Sequence, residues 1–383
     1  MTPVFIGSEV YRGSSYGAAH PLHIARVSTV MDLTRALGWL PQTQYRTSPR
    51  AKPDALTTWH DPAYLDALAT AEARQAVDDQ TRARFCLGTT ANPVFPEMFR
   101  RPATGAGGVM LAAELVAQGG LVHVPGGGTH HAMADRANGF CYLNDPVLCL
   151  LRLRALGCSR MAYVDLDAHH CDGVQAGLSG AEDMLLISVH EEKRWPFTGA
   201  LDDQGKGRAV NLPVPRGLND TEDRHILHRL LVPLLEQYQP DAIVLQCGAD
   251  RLEDDPLSRL SLSNTAYIEA LHAIRPLSPR LIVLGGGGYN PWSVGRLWTR
   301  IWGALNGLDW DGPLPEPAQA VLRGLSWNRQ RGLPRPERWT TTLTDPPREG
   351  KLRPEITARV GHLRARHHLG AYKPALAWQA AAK

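Results

Sequence analysis

The sequence predicts a single-domain α/β fold: a parallel β-sheet with helices on both faces and an active site at the carboxyl ends of the strands. Three observations predict it. Short, wholly apolar runs recur along the chain, each followed by a longer stretch with helical spacing, and that alternation builds parallel sheets covered on both sides. No run approaches the roughly 18 uninterrupted apolar residues of a membrane span. The four clusters of chemically capable side chains each follow directly on an apolar run, where open α/β sheets gather their chemistry.

In chain order, the candidate strands are Val4–Ile6, Leu121–Val124, Arg160–Val164, Met184–Val189, Ala242–Gln246 and Leu281–Leu284. The candidate helices between and around them are His23–Leu37, Gly105–Gln118, Pro146–Leu156, Asp220–Gln237, Asn264–Ala273 and Pro291–Leu305. Two regions break the rhythm. Residues 77–103, with few periodic apolar positions and the Pro-rich NPVFPEMFRRP, read as a long surface loop. From about Pro315 the chain is rich in Pro and Arg with weak periodicity. The expected division is therefore a catalytic domain over 1–314 and a C-terminal extension over 315–383, either wrapping the core or trailing from it.

Composition narrows the class. With 43% hydrophobic and 21% charged residues, the chain reads as a soluble globular enzyme rather than a disordered segment. Lys+Arg 41 against Asp+Glu 38 leaves a formal charge of +3, too even to advertise direct nucleic-acid binding. The N-terminus lacks the basic start and apolar run of a secretory signal. Cysteines at 86, 141, 149, 158, 171 and 247 form no CxxC pair. Reduced thiols in the cytoplasm are expected, without a membrane partner.

The first cluster, PGGGTHHAMADRANGFCYLND, sets His130 and His131 after three glycines. A histidine pair decides nothing alone, since most sit at the surface or satisfied in a core. The second, YVDLDAHHCDGV, places Asp165, Asp167 and His169 at alternate positions, with Asp172 beyond. A period of two puts the first three on one side of an extended segment, and zinc accepts such O and N donors. The alternative is a strand end whose acids are solvated or cap the next helix. In the third, QCGADRLEDDP, Asp250 is aimed into the crevice or caps a helix, while Asp254 and Asp255 read as solvated or capping. The fourth, LGGGGYNP, presents Tyr289 after four glycines. It lacks the full GxGxxG pattern of a dinucleotide loop, and the glycines read as freedom for Tyr289 to swing.

Taken together, GGGTHHAMADRANGFCYLND, YVDLDAHHCDGV, CGADRLEDDPLSRLSLS and GGGGYN resemble the histone deacetylase and acetylpolyamine amidohydrolase superfamily, which has an arginase/deacetylase-like fold. The likeness covers roughly residues 3–310, with the motifs in the family's order. It implies zinc ligands at Asp167, His169 and Asp250, an open set suited to catalysis. It implies a histidine dyad at His130 and His131 with carboxylate partners Asp165 and Asp172, a transition-state tyrosine at Tyr289, and a potassium ion against Asp165, Asp167 and Ser188. His131 would serve as the proton carrier and His130 as electrostatic support, with Tyr289 stabilising the oxyanion. The acyl channel would be walled by Phe140 and Trp195, with the Gly139 carbonyl on the substrate amide and Leu257 at the rim.

The implied activity is zinc-dependent hydrolysis of an acyl-amide: deacylation of acylated lysine in a protein or peptide, or alternatively of acetylpolyamines or another small acylated amine. Leu257 stands where one polyamine-selective branch carries a glutamate that selects a cation, which favours acyl-lysine or another neutral-backbone substrate. Against that, Thr90 and Ala91 stand where many protein-lysine deacetylases carry a backbone-gripping acid. A two-metal ureohydrolase would need more bridging carboxylates, and a non-catalytic binding module would be expected to have lost part of the set. Oligomeric state is left open by the sequence.

Overall fold

The computed structural model describes residues 2–308, 310–328 and 335–370. Its strands are β1 (Val4–Gly7), β2 (Tyr45–Thr47), β3 (Gly120–Val124), β4 (Met161–Asp165), β5 (Met184–Glu191), β6 (Ala209–Val214), β7 (Ala242–Gln246) and β8 (Arg280–Leu284). They form one sheet in the order β2-β1-β3-β8-β7-β4-β5-β6, with every pairing parallel. All six expected strands are present. The two unexpected ones, β2 and β6, are the sheet edges. Tyr45–Thr47 has no apolar run, and β6 (AVNLPV) is interrupted by Asn211 and Pro213, the second tolerated because an edge strand can lose a ladder donor.

The central strands β4 and β7 are buried at every position, so they read as unbroken apolar runs. Their alternate side chains nonetheless serve different layers. Val164, Ile187, Leu245 and Val283 pack with Met31, Tyr267, Leu297 and Trp298 on one face. Val122, Tyr163, Leu186, Val244 and Ile282 pack with Val109, Val147 and Leu150 on the other. The first layer is covered by helices Val27–Ala36, Asn264–Ile274 and Pro291–Leu305, the second by Arg100–Leu115 and Asp145–Ala155.

Residues 77–103 are not a surface loop. Helix Asp79–Phe85 lies within them and helix Arg100–Leu115 starts within them, while Phe95, Met98 and Phe99 are buried against Tyr16, Tyr64 and Tyr142. Their apolar residues are aperiodic because each fills a different gap in an aromatic cluster outside the sheet. Helix Pro62–Arg74 also went unread, although Asp61 caps it by accepting the Ala63 N–H at 2.7 Å and Pro62 opens it, a start signal visible in the sequence.

Beyond Pro315 the described residues wrap the core. Helix Glu316–Arg323 buries Ala318 and Leu322, and Trp339 and Leu343 join them around Trp292 and Leu33. Helix Pro354–Arg366 adds Ile356, Val360 and Leu363 to the main core. Residues 329–334 and 371–383 of the expected extension lie outside the described part.

Candidate active site

The ends of β3, β4, β7 and β8 are contiguous in the sheet, so the loops that follow them converge on one crevice. After β4, the carboxylates themselves shape the turn: Asp165 Oδ1 accepts the Asp167 N–H and Asp167 Oδ1 accepts the His169 N–H, each at 3.0 Å. Asp250, after β7, accepts the Ala168 N–H at 2.9 Å. These bonds aim Asp167, His169 and Asp250 at a common point, with one ligand atom from each within 4.8 Å of the others. Among the described residues no other group of three or more His, Cys, Asp or Glu meets that spacing.

Charge at this point is unbalanced in a way that suits a cation. All three side chains are buried. Burial depresses the His169 pKa, but Asp167 and Asp250 outweigh it and raise it to about 10. His169 Nδ1 lies 2.9 Å from Asp250 Oδ2 and 3.3 Å from Asp167 Oδ1. A divalent ion between the two carboxylates would displace the proton they favour on His169 and free its nitrogen to ligate. The donor set, one nitrogen and two carboxylate oxygens, fits the chemistry of zinc.

The glycines before Tyr289 serve close approach, not swinging. A Cβ on Gly287 would sit 2.1 Å from Asp250 Oδ2 and 2.9 Å from Asp167 Oδ2, and the Gly287 N–H donates to Asp167 Oδ2 at 2.6 Å. Tyr289 itself is held: its N–H donates to Asp255 Oδ2 at 2.7 Å, and its ring meets Phe140 edge-on at 5.9 Å. Burial, with the negative charge of Asp250 and Asp167, keeps its hydroxyl protonated far above the usual phenol range. Asp255 is buried and structural here rather than solvated.

His130 and His131 lie ring against ring, centroids 3.9 Å apart, and their environments push them in opposite directions. His130 Nδ1 is 2.7 Å from Asp165 Oδ2, which also accepts the Tyr163 hydroxyl at 2.7 Å. Burial lowers the His130 pKa, but Asp165 and Asp167 win and bring it to about 9. His131 Nδ1 is 2.7 Å from Asp172 Oδ1, and Asn138 Nδ2 donates to Asp172 Oδ2 at 2.9 Å. For His131 burial dominates, and repulsion from His130 adds to it, so its pKa falls to about 4. The two carboxylates thus favour the protonated form of His130, while burial favours the neutral form of His131, whose Nδ1 faces Asp172. Ser188 pairs in register with Asp165 across β4 and β5, and its Oγ lies 2.9 Å from His190 Nδ1.

Above this floor a cavity of about 700 Å³ opens outward, lined by His131, Gly139, Phe140, Trp195, Leu257 and Tyr289 among others. Trp195 meets the His131 ring edge-on at 4.6 Å. Gly139 has a φ of +54, and a Cβ there would lie 2.1 Å from Trp195. Phe140 holds a left-handed φ of +70, a strained state for a non-glycine. Asn92 Oδ1 accepts its N–H at 3.0 Å and the Tyr16 hydroxyl donates to its carbonyl at 3.1 Å. Thr90 and Ala91 bring no carboxylate to this opening, and the Ala91 carbonyl is 3.2 Å from His20 Nε2.

Several participants were not read from the sequence. Arg26 is half-buried, with its guanidinium 4.9 Å over the Trp298 ring and donating to the Gly286 carbonyl. With Asp145, Gly128 and Tyr11 it lines a small chamber of about 70 Å³ beneath His130 and Tyr289. Asp145 accepts the Gly128 and Thr129 N–H groups at 2.7 and 3.1 Å and so shapes the glycine turn before the dyad. Glu191 and Arg194 form a buried-side ion pair whose guanidinium also donates to the Leu257 carbonyl at 2.8 Å. Asn144, the N-cap of helix Asp145–Ala155, could have flagged Asp145 beside it; nothing local marks Arg26, whose role depends on a carbonyl 260 residues away.

Three comparisons bear on this geometry. The family described as the histone deacetylase domain matches residues 20–305. The chain is 30% identical to the acetoin utilization protein AcuC of Bacillus subtilis over 371 residues, covering 93% of this chain and 94% of that one. It is 32% identical to histone deacetylase RPD3 of Saccharomyces cerevisiae, covering 79% and 71% respectively. Among solved structures, a histone deacetylase homolog from Aquifex aeolicus superposes with a TM-score of 0.90 at 33% identity, covering 95% of this chain and 100% of that one. All six cysteines are free, and no helix among the described residues is long and apolar enough to cross a membrane.

Proposed function

Because this chain belongs to the histone deacetylase family, we propose that it is a zinc-dependent hydrolase of acylated lysine side chains, acting in the cytoplasm. The observation that carries the reading is the convergence, at the base of one aromatic-walled opening, of the Asp167–His169–Asp250 triad, two imidazoles each paired at Nδ1 with its own carboxylate, and the Tyr289 side chain. The triad would hold the zinc, which when bound would supply Lewis acidity to polarise a carbonyl and to acidify water toward neutral pH. Asp165 and Ser188, with Asp167, would hold a potassium ion.

The protein's own groups divide the work. His131, neutral at pH 7 and oriented by Asp172, takes a proton from the attacking water through Nε2 and returns it to the leaving amine. His130, a cation paired with Asp165, offsets negative charge gathering at the reaction centre. Tyr289 donates a hydrogen bond to the carbonyl oxygen as that atom gains charge. Phe140 and Trp195 wall the aliphatic stem and exclude water from it. The Gly139 carbonyl accepts the substrate N–H, and Leu257 sets the rim.

A second reading, hydrolysis of a small acylated amine, is favoured by the absence of a carboxylate at Thr90 and Ala91 to grip a peptide backbone. One experiment separates them: kcat/KM at equal zinc loading across acetyl-lysine peptides, longer acyl-lysine peptides and acetylpolyamines. The acyl-lysine reading predicts the highest values for peptides. A preference for acetylpolyamines over every peptide replaces it with the second.

A further inference from the structure

The loop between Asp250 and Leu257 links the triad to the rim, and its middle is tied to the far end of the chain. Asp254 Oδ2 accepts from Arg338 Nη2 at 2.6 Å and from Trp339 Nε1 at 2.9 Å. The Asp254 carbonyl accepts from Asn290 Nδ2 at 3.1 Å. The next residue, Asp255, accepts the Tyr289 N–H at 2.7 Å and the Leu257 N–H at 2.9 Å. The same C-terminal segment grips the other side of Tyr289. Trp339 stacks on Trp292 with centroids 5.1 Å apart and planes 21° apart. Trp292 lies in the first turn of helix Pro291–Leu305, where Asn290 Oδ1 accepts its N–H at 3.1 Å. One turn on, Arg296 donates to the Thr342 carbonyl at 2.7 Å and pairs with Asp345 at 2.7 Å.

We propose that the segment around Arg338 and Trp339 is a brace for the active site, and that Asp254 is a positioning residue through which it sets the Tyr289 hydroxyl. Tyr289 and Asn290 form a short span between two fixed points, Asp254 on one side and Trp292 on the other, and both are held by Trp339. The Asp254–Arg338 pair is partly solvated, with side chains 24% and 29% exposed, so its worth to global stability is small. Its geometric worth is larger: two donors from adjacent residues on one carboxylate oxygen fix both position and direction. Neither Asp254, Arg338 nor Trp339 lines the opening above the triad, whereas Tyr289 and Leu257 do. The brace therefore acts through the tyrosine and not on substrate. Misplacing a reacting group by about 1 Å costs rate out of proportion to any loss of stability.

This rests on the deacylase reading for its kinetic arm, and a second arm needs no turnover. Asp254→Asn, Arg338→Gln and Trp339→Phe are made in the full chain, each with and without Tyr289→Phe. Trp339→Phe keeps an aromatic ring against Trp292 but loses the N–H donor together with part of the indole surface, so it is read beside Arg338→Gln, which leaves that stack intact and tests the bond even where Asp254→Asn folds poorly. With an acetyl-lysine peptide, each single variant is expected to lower kcat by about tenfold, with KM within about twofold and zinc per chain unchanged. In the Tyr289→Phe background the same changes are expected to cost less than about twofold, since the positioned hydroxyl is gone, and Arg338→Lys should recover much of the loss. Unchanged kcat in the single variants, or equal factors in both backgrounds, overturns the brace. Amide hydrogen exchange over 285–292 is the second arm: release predicts faster exchange at the Tyr289 N–H, and unchanged exchange overturns the proposal whatever the substrate. Failure of the deacylase reading is distinct, appearing as no turnover by the unaltered chain.

Discussion

Tyr289→Phe separates holding the metal from stabilising the transition state. The hydroxyl is the only group removed. The ring keeps its edge contact with Phe140 at 5.9 Å, and the backbone N–H keeps its bond to Asp255 at 2.7 Å. The side chain is not one of the three groups that meet at the triad, so zinc per chain should stay the same. The hydroxyl stays protonated because burial and the Asp250 and Asp167 charges hold its pKa well above the usual value. It is therefore a donor throughout the working pH range. A donor aimed at a developing oxyanion is worth about 2.7–4 kcal/mol, or roughly 10²–10³ in kcat. With packing intact, the melting temperature should move by no more than about 2 °C. The assay combines zinc analysis, a melting curve and steady-state kinetics on one acetyl-lysine peptide. A variant that keeps metal and the original kcat refutes the oxyanion role, and one that loses zinc refutes the separation of roles.

Four further outcomes follow from the same geometry. Asp250→Ala should lose both bound metal and turnover, since it removes one of three ligands, and metal retained at one per chain would count against the triad. Asp172→Asn should keep metal but lower kcat by about 10–100-fold, because His131 Nδ1 loses the anionic partner that orients the ring and raises its basicity; unchanged kcat would remove His131 from the proton path. A hydroxamate should inhibit at least about 10²-fold more strongly than the matched carboxamide, and equal inhibition would argue against a metal-centred site. Stability should fall as the solution is acidified from pH 6.5 toward 4. His123 and His60, whose pKa values burial drops from 6.5 to about 4, stay neutral when folded, while the unfolded chain takes up protons across that window. Each such imidazole is worth about 3 kcal/mol once both forms are below their pKa. Urea midpoints against pH, with His123→Phe expected to flatten the slope, check this; a flat profile in the unaltered chain would contradict it.

The sheet was largely legible because its central strands are buried on both faces and so stand out as apolar runs, as with Ala242–Gln246 and Met161–Asp165. Its edges were not, because Tyr45–Thr47 and Ala209–Val214 are pinned by a single neighbour and need no such pattern. The crevice was legible because strand, turn and ligand are contiguous: Asp165, Asp167 and His169 fold their own loop. What sequence reading missed acts across long separations. Asn92 holds Phe140 across 48 positions, and Arg26 reaches Gly286 across 260; no local spacing encodes either contact. The glycines before Tyr289 show a subtler failure. Freedom and close approach both demand glycine, and only the 2.1 Å distance from a Gly287 Cβ to Asp250 tells them apart.

If one zinc ion held by Asp167, His169 and Asp250 is required for hydrolysis of an acyl-lysine, metal content and turnover must rise and fall together. The most direct measurement is release of acetate from an acetyl-lysine peptide by chain stripped with a chelator and then titrated with zinc, with metal per chain counted at each point. Turnover is expected to disappear on stripping and to return in full at one zinc per chain. Full activity in the stripped protein, or recovery only at two ions per chain, would contradict it.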